Sequence, residues 1–169
     1  MATGLKRTST DFFVSAEITE SAANTFTTEE ITLPLNSLDR EVFVITGIIL
    51  DPATPTSLPA TQTSSSLVLS RQEPAAFQGI GHFNTISLST ESINGGVAEF
   101  DFFSKSFGNQ ITDTGATYID VVATPNMFLS VVGANNTAAL VSSARIFGYR
   151  ATADVSVYSA LIASELNAA

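Results

Sequence analysis

The sequence predicts an all-β protein: an antiparallel two-sheet sandwich, a single jelly roll of about eight strands, with a short C-terminal helix. Three observations predict it. Short runs of β-branched and aromatic residues recur along the chain, Gly, Pro, Asn and Ser/Thr clusters separate them, and helical periodicity is confined to the C-terminal end.

In chain order, residues 1–10 are expected to be a flexible segment with a basic pair, Lys6 and Arg7. Strands are expected at 12–19, 26–33, 41–50, 66–70, 79–89, 97–106, 118–122, 127–133 and 145–153. In "EVFVIT" Phe43 and Ile45 point one way and Val42 and Val44 the other, so both faces of that strand need cover. "MFLSVV" behaves similarly. A loop, a helix or a neighbouring subunit could supply the cover. The stretch 51–66, "DPATPTSLPATQTSSS", has three prolines and no periodicity and is expected to be a long surface loop. "INGGV" at 93–97 reads as a hairpin turn in which Asn94 and Gly95 tolerate positive φ. "NNT" at 135–137 reads as a hairpin between two strands, and as a glycosylation sequon only if the protein is exported.

A helix is expected over 154–167. Asp154 suits its N-cap, and Tyr158, Leu161, Ile162 and Leu166 fall on one stripe, with Ser159, Ser164, Glu165 and Asn167 elsewhere. That stripe needs a partner surface, either the open end of its own barrel or another subunit.

The composition limits the function. The 169 residues make one domain, 1–169, large enough for a real core. Hydrophobic residues are 44% and charged residues 14%, so much of the surface is neutral. A net charge of −9 repels nucleic acid and anionic membranes at long range. The absence of cysteine excludes disulfides, thiolate catalysis and cysteine-ligated zinc. The most apolar run, 42–50, is far shorter than the roughly 20 residues of a membrane span, and no signal peptide is read at the N-terminus. No cofactor and no small-molecule substrate are expected.

Catalytic signals are sparse. Asp113 to Ala116 in "ITDTGAT" resembles the active-site loop of aspartic proteases, which requires a second such loop or a homodimer. "RIFGYR" resembles the hydrophobic-Gly element before that family's C-terminal helix. Thr112, where the family has a hydrophobic residue, and the short interval from Gly115 to Gly148 depart from the pattern. His82 is the sole histidine, and no Gly-x-Ser-x-Gly elbow exists. Asp113, Asp120, Glu29 and Glu30 could meet around calcium across subunit contacts, but no EF-hand spacing is present and solvated acids are the better reading. Arg145 and Arg150, five apart, point to opposite faces of one strand.

"LNSLDREVFVITGIILDP" and "MFLSVVGANNTAALVSSARIFGYRATADVSVYSALIASEL" together resemble the capsid proteins of small, marine viruses built on a single jelly roll. The resemblance covers about half the chain. It implies a non-enzymatic structural coat protein that self-assembles into a homo-oligomeric shell, is made in the host cytoplasm and resides in the virion. The partner is then the chain itself, with an enclosed genome touched only weakly, since Lys6 and Arg7 are the only candidate nucleic-acid contacts near the start. Arg145, Arg150, Tyr158, Leu161, Ile162 and Leu166 are the candidate subunit contacts. A β-sandwich binding or phage-decoration module is the alternative, against which the lack of Trp weighs for sugars. A dimeric aspartic protease is the remote one.

Overall fold

The computed structural model describes residues 4–96, 99–107 and 118–166. Among the described residues ten strands and one helix follow in chain order: β1 (Leu5–Arg7), β2 (Phe12–Thr19), β3 (Thr27–Thr32), β4 (Glu41–Asp51), β5 (Gln62–Ser70), β6 (Thr85–Gly95), β7 (Phe100–Phe107), β8 (Asp120–Val122), β9 (Asn126–Ala134), β10 (Val141–Ala153) and α1 (Val155–Leu166). A 3-10 turn at Ser37–Asp39 joins β3 to β4. Every pairing is antiparallel. The first sheet runs β2-β10-β4-β8, with β1 extending it along the far half of β10, and the second runs β3-β9-β5-β6-β7. Leaving out β1 and β7, each sheet has four strands, β2-β10-β4-β8 facing β3-β9-β5-β6, and that order is the jelly roll.

The strands form where they do because alternate residues meet in the middle. Ile18, Ile31, Phe43, Ile45, Leu67, Leu69, Met127, Leu129 and Ile146 interdigitate there, most of them without solvent contact. β4 changes parity midway: Phe43 and Ile45 face this core, and so do Ile48 and Leu50. A bulge makes that possible, since the register passes from Phe147↔Gly47 to Gly148↔Ile45 and leaves Thr46 unpaired with β10.

Several sequence expectations shift. The segment expected to be flexible at 1–10 contains β1, whose Leu5, Lys6 and Arg7 pair with Ala153, Thr152 and Ala151. The loop expected at 51–66 spans only 52–61, because β4 runs to Asp51 and β5 starts at Gln62. Thr63, Ser65 and Ser66 read as loop residues, yet they are buried in the middle of a sheet, between β9 and β6. The strand expected at 79–89 begins later, at Thr85, and 71–84 is a loop held by the Asn84 side chain, which binds Gln72 through both its amide nitrogen and its oxygen. At "INGGV", Asn94 and Gly95 still belong to β6 and neither has positive φ. Gly95 is required for space instead: a Cβ there would lie 1.9 Å from the Leu58 carbonyl oxygen. The "NNT" segment, with Asn135 at φ 58, is no hairpin: it links β9 to β10, which lie in different sheets and do not pair.

Candidate self-association surface

The outward face of the first sheet is divided in two. On one half α1 lies across β4, β8 and the end of β10: Val157, Tyr158, Leu161 and Ile162 pack with Leu5 and Tyr149 on Val42, Val44, Val121, Ala123, Ala151 and Ala153. The helix is fastened at both ends. Asp154 Oδ1 accepts from Val157 N–H and from the Ser156 hydroxyl, both at 2.8 Å, and Asp154 N–H donates to the Gly4 carbonyl. At the other end Glu165, 2% exposed, accepts from Ala123 N–H at 2.7 Å and Thr124 N–H at 3.0 Å, and its carbonyl takes the Gln72 side-chain amide.

The cap has a pH signature. The Val157 N–H, and after it the Ser156 hydroxyl, hold the Asp154 carboxyl below its ordinary value of 3.8. Because the folded state favours the ionised form, its contribution is complete above 3.8 and fades as pH falls through the lower folded value. Asp154→Ala should therefore lower the melting temperature by a few degrees at pH 7, Asp154→Asn by less, and the gap between wild type and Asp154→Ala should narrow in thermal melts at acid pH.

The other half of that face, over β2, β10 and the end of β4, carries no helix. Phe13 is 56% exposed and Ile49 52%, with Val141 also exposed and Phe147 half-buried beside Phe13 at a centroid distance of 6.1 Å. Arg145 stands among them with its guanidinium 4.8 Å from the Phe13 ring centre, and it makes no ion pair among the described residues. A depression of about 550 Å³ opens here, lined by Arg145 itself together with Ser15, Glu17, Ile49, Asp51 and Ser143. A second exposed apolar group, Phe77, Ile80 and Phe83, lies apart from this face on the loop between β5 and β6.

The residues singled out from sequence separate accordingly. Tyr158, Leu161 and Ile162, each half-buried, pack on the chain's own sheet, where their stripe covers Val42 and Val44. The Leu166 side chain lies outside the described residues. Both faces of "EVFVIT" are thus covered within one subunit. Arg145 and Arg150 do face opposite sides of β10: Arg150 lies 3.7 Å from Glu41 and donates to the Pro34 carbonyl, while Arg145 looks outward. Arg7 is held 2.9 Å from Asp11 and sits over the Tyr149 ring, and Lys6 beside it is exposed. His82 accepts from the Asn84 N–H and stacks on Phe83. Asp113 and the rest of "DTGA" lie outside the described residues. Asp120 is paired with Arg71 at 2.6 Å, whereas Glu29 and Glu30 are exposed on β3.

Sequence reasoning missed the groups that lock the loops. Glu20, 3% exposed, accepts from Gly133 N–H at 2.6 Å and Leu140 N–H at 3.0 Å. The buried Asn136 side chain donates to Ser64 O and accepts from Thr56 N–H, while its backbone exchanges two hydrogen bonds with Asn24. The signal was faint: polar residues at strand ends, where the backbone leaves the sheet and needs partners.

No family model and no curated protein matches the chain. Among solved structures, alignment finds viral capsid proteins. VP1 of chimpanzee polyomavirus aligns with a TM-score of 0.44 at 6% identity, over 85% of this chain and 96% of that one. VP1 of trichodysplasia spinulosa-associated polyomavirus gives 0.44 at 7% identity, over 88% and 99%. Desmodium yellow mottle tymovirus gives 0.33 at 15% identity, over 86% and 89%. The jelly-roll assignment stands on the strand order and not on these low-identity alignments.

Proposed function

We propose that the chain is a structural coat protein whose jelly rolls pack side by side into a multi-copy shell. What supports the reading is that, with the terminal helix packed on its half of the first sheet, apolar side chains are left bare in several separate places, among them the β2-β10-β4 face, the 71–84 loop and Phe102 and Phe103 on β7. More than one place matters. One self-complementary contact closes a dimer and stops, whereas a shell needs at least one further contact of another kind on every copy. A protein built to act as a monomer would gain nothing from exposing Phe13, Ile49, Phe77 and Phe83.

Size-exclusion chromatography with light scattering, followed by negative-stain electron microscopy, tests this. Concentration-dependent growth into closed particles is the expected result. A species that stays monomeric at high concentration across salt and pH overturns it, and binding of such a monomer to a foreign particle or glycan would point to the decoration-module alternative.

A further inference from the structure

We propose that the bare half of the first sheet binds a second copy of itself about a two-fold axis, with Arg145 of each copy lying over the partner's Ser143, between the partner's Glu17 and the partner's Asp51. The inference rests on the coat-protein reading and specifies one of its contacts.

The register carries it. On β10 the outward residues are Val141, Ser143, Arg145 and Phe147 in succession. Ser143 is flanked directly by Glu17 on β2 and Asp51 on β4, and Arg145 by Ser15 and Ile49. A short hydroxyl thus sits between two carboxylates, one step along the strand from an unpaired guanidinium. Two residues along a strand span about 6.6 Å, close to the length by which a guanidinium must be displaced to lie over a neighbouring row.

Two sheets packed face to face are related by a two-fold lying in the plane of contact. If that axis runs along the strands, Arg145 meets the partner's Arg145, and like charges oppose. If it runs across the strands midway between Ser143 and Arg145, each arginine lies over the partner's Ser143, between the partner's Glu17 and the partner's Asp51. Phe147 then lies over the partner's Val141. Only the second arrangement satisfies the charges, and it satisfies them twice.

Three strands by four outward rows make a patch about 15 Å by 20 Å, well below the roughly 800 Å² per partner of a standard stable interface. The contact is therefore weak in isolation and specified more by charge than by area, which suits one of several contacts per copy.

A charge exchange tests it in full-length protein by sedimentation velocity. Arg145→Glu places acid against acid in its own dimer, and a Glu17→Lys, Asp51→Lys variant places base against base. Each alone should self-associate about a hundredfold more weakly than wild type at this contact, from the several-kcal/mol cost of opposed like charges. Mixed one to one, they should form a heterodimer at near wild-type strength, a rescue that misfolding cannot imitate. Should the paired lysines impair folding, seen by circular dichroism, Glu17→Lys alone serves in their place with a smaller rescue. Wild-type association retained in both variants overturns the two-fold contact and leaves the coat reading standing on the 71–84 loop. Monomeric wild type overturns both.

Discussion

Glu20→Ala is expected to lower the stability of the protein by about 3 to 5 kcal/mol, measured by urea unfolding followed by circular dichroism. The carboxylate is 3% exposed and holds Gly133 N–H on one oxygen and Leu140 N–H on the other. These amides lie at the end of β9 and just before β10, so one side chain from the end of β2 closes the connection between two neighbouring elements of different sheets. Removing it leaves two donors without partners, and each buried orphan costs about 1 to 3 kcal/mol. Glu20→Gln separates shape from charge. An amide has one acceptor oxygen, so in either orientation its NH2 group faces one of the backbone N–H groups, and roughly half the loss or more should remain. Glu73, exposed on the 71–84 loop, supplies the control: Glu73→Ala should change stability by less than about 0.5 kcal/mol. Equal effects at Glu20 and Glu73 would show that the carboxylate does not lock the connection.

How much of this was legible depended on whether a residue's role is written in its neighbours along the chain. The two-faced apolar pattern of Val42 to Ile45 is local, and it correctly demanded cover on both sides. What provides that cover is not local. Val42 and Val44 meet a helix more than a hundred residues later, so the sequence could not choose between that helix and a neighbouring subunit. The same landing point decides which apolar surface stays bare. Phe13 and Ile49 attracted no attention in sequence because they become neighbours only through the β2-β10-β4 pairing.

Polar residues misled in both directions. "TQTSSS" looked like loop, yet in the centre of a sheet small hydroxyl residues can pack closely: Ser66 and Thr90 lie across from each other with oxygens 3.0 Å apart, as do Thr28 and Ser130. Spacing sets Glu165 off the apolar stripe of the helix, yet it is buried because two amides of the β8-β9 turn point at it. A carboxylate aimed at backbone donors leaves no periodic trace. The unpaired Thr46 was equally silent, since a bulge shows only in register.

Gly148→Ala should cost about 3 kcal/mol although alanine is the mildest change available, and Gly148→Val should prevent folding. Gly148 does not have the positive φ that would explain its need for glycine. Space explains it: an added Cβ would stand 2.3 Å from the Val44 carbonyl oxygen and 2.7 Å from the Phe43 ring. The strands approach this closely where β4 carries its extra residue, and the Phe43 ring, packed with Phe12 at a centroid distance of 5.4 Å, fills the room above the glycine. Gly47, across the same bulge, is the internal control. A Cβ there would meet Phe147 at an ordinary 3.5 Å, so Gly47→Ala should be within about 0.5 kcal/mol of wild type in the same urea titration. Phe43→Leu combined with Gly148→Ala should recover part of the loss by clearing the ring, but not the part due to the Val44 carbonyl, which belongs to the backbone. Full recovery would assign the whole constraint to the ring, and no difference between Gly47 and Gly148 would remove the bulge as the point where the two strands are forced together.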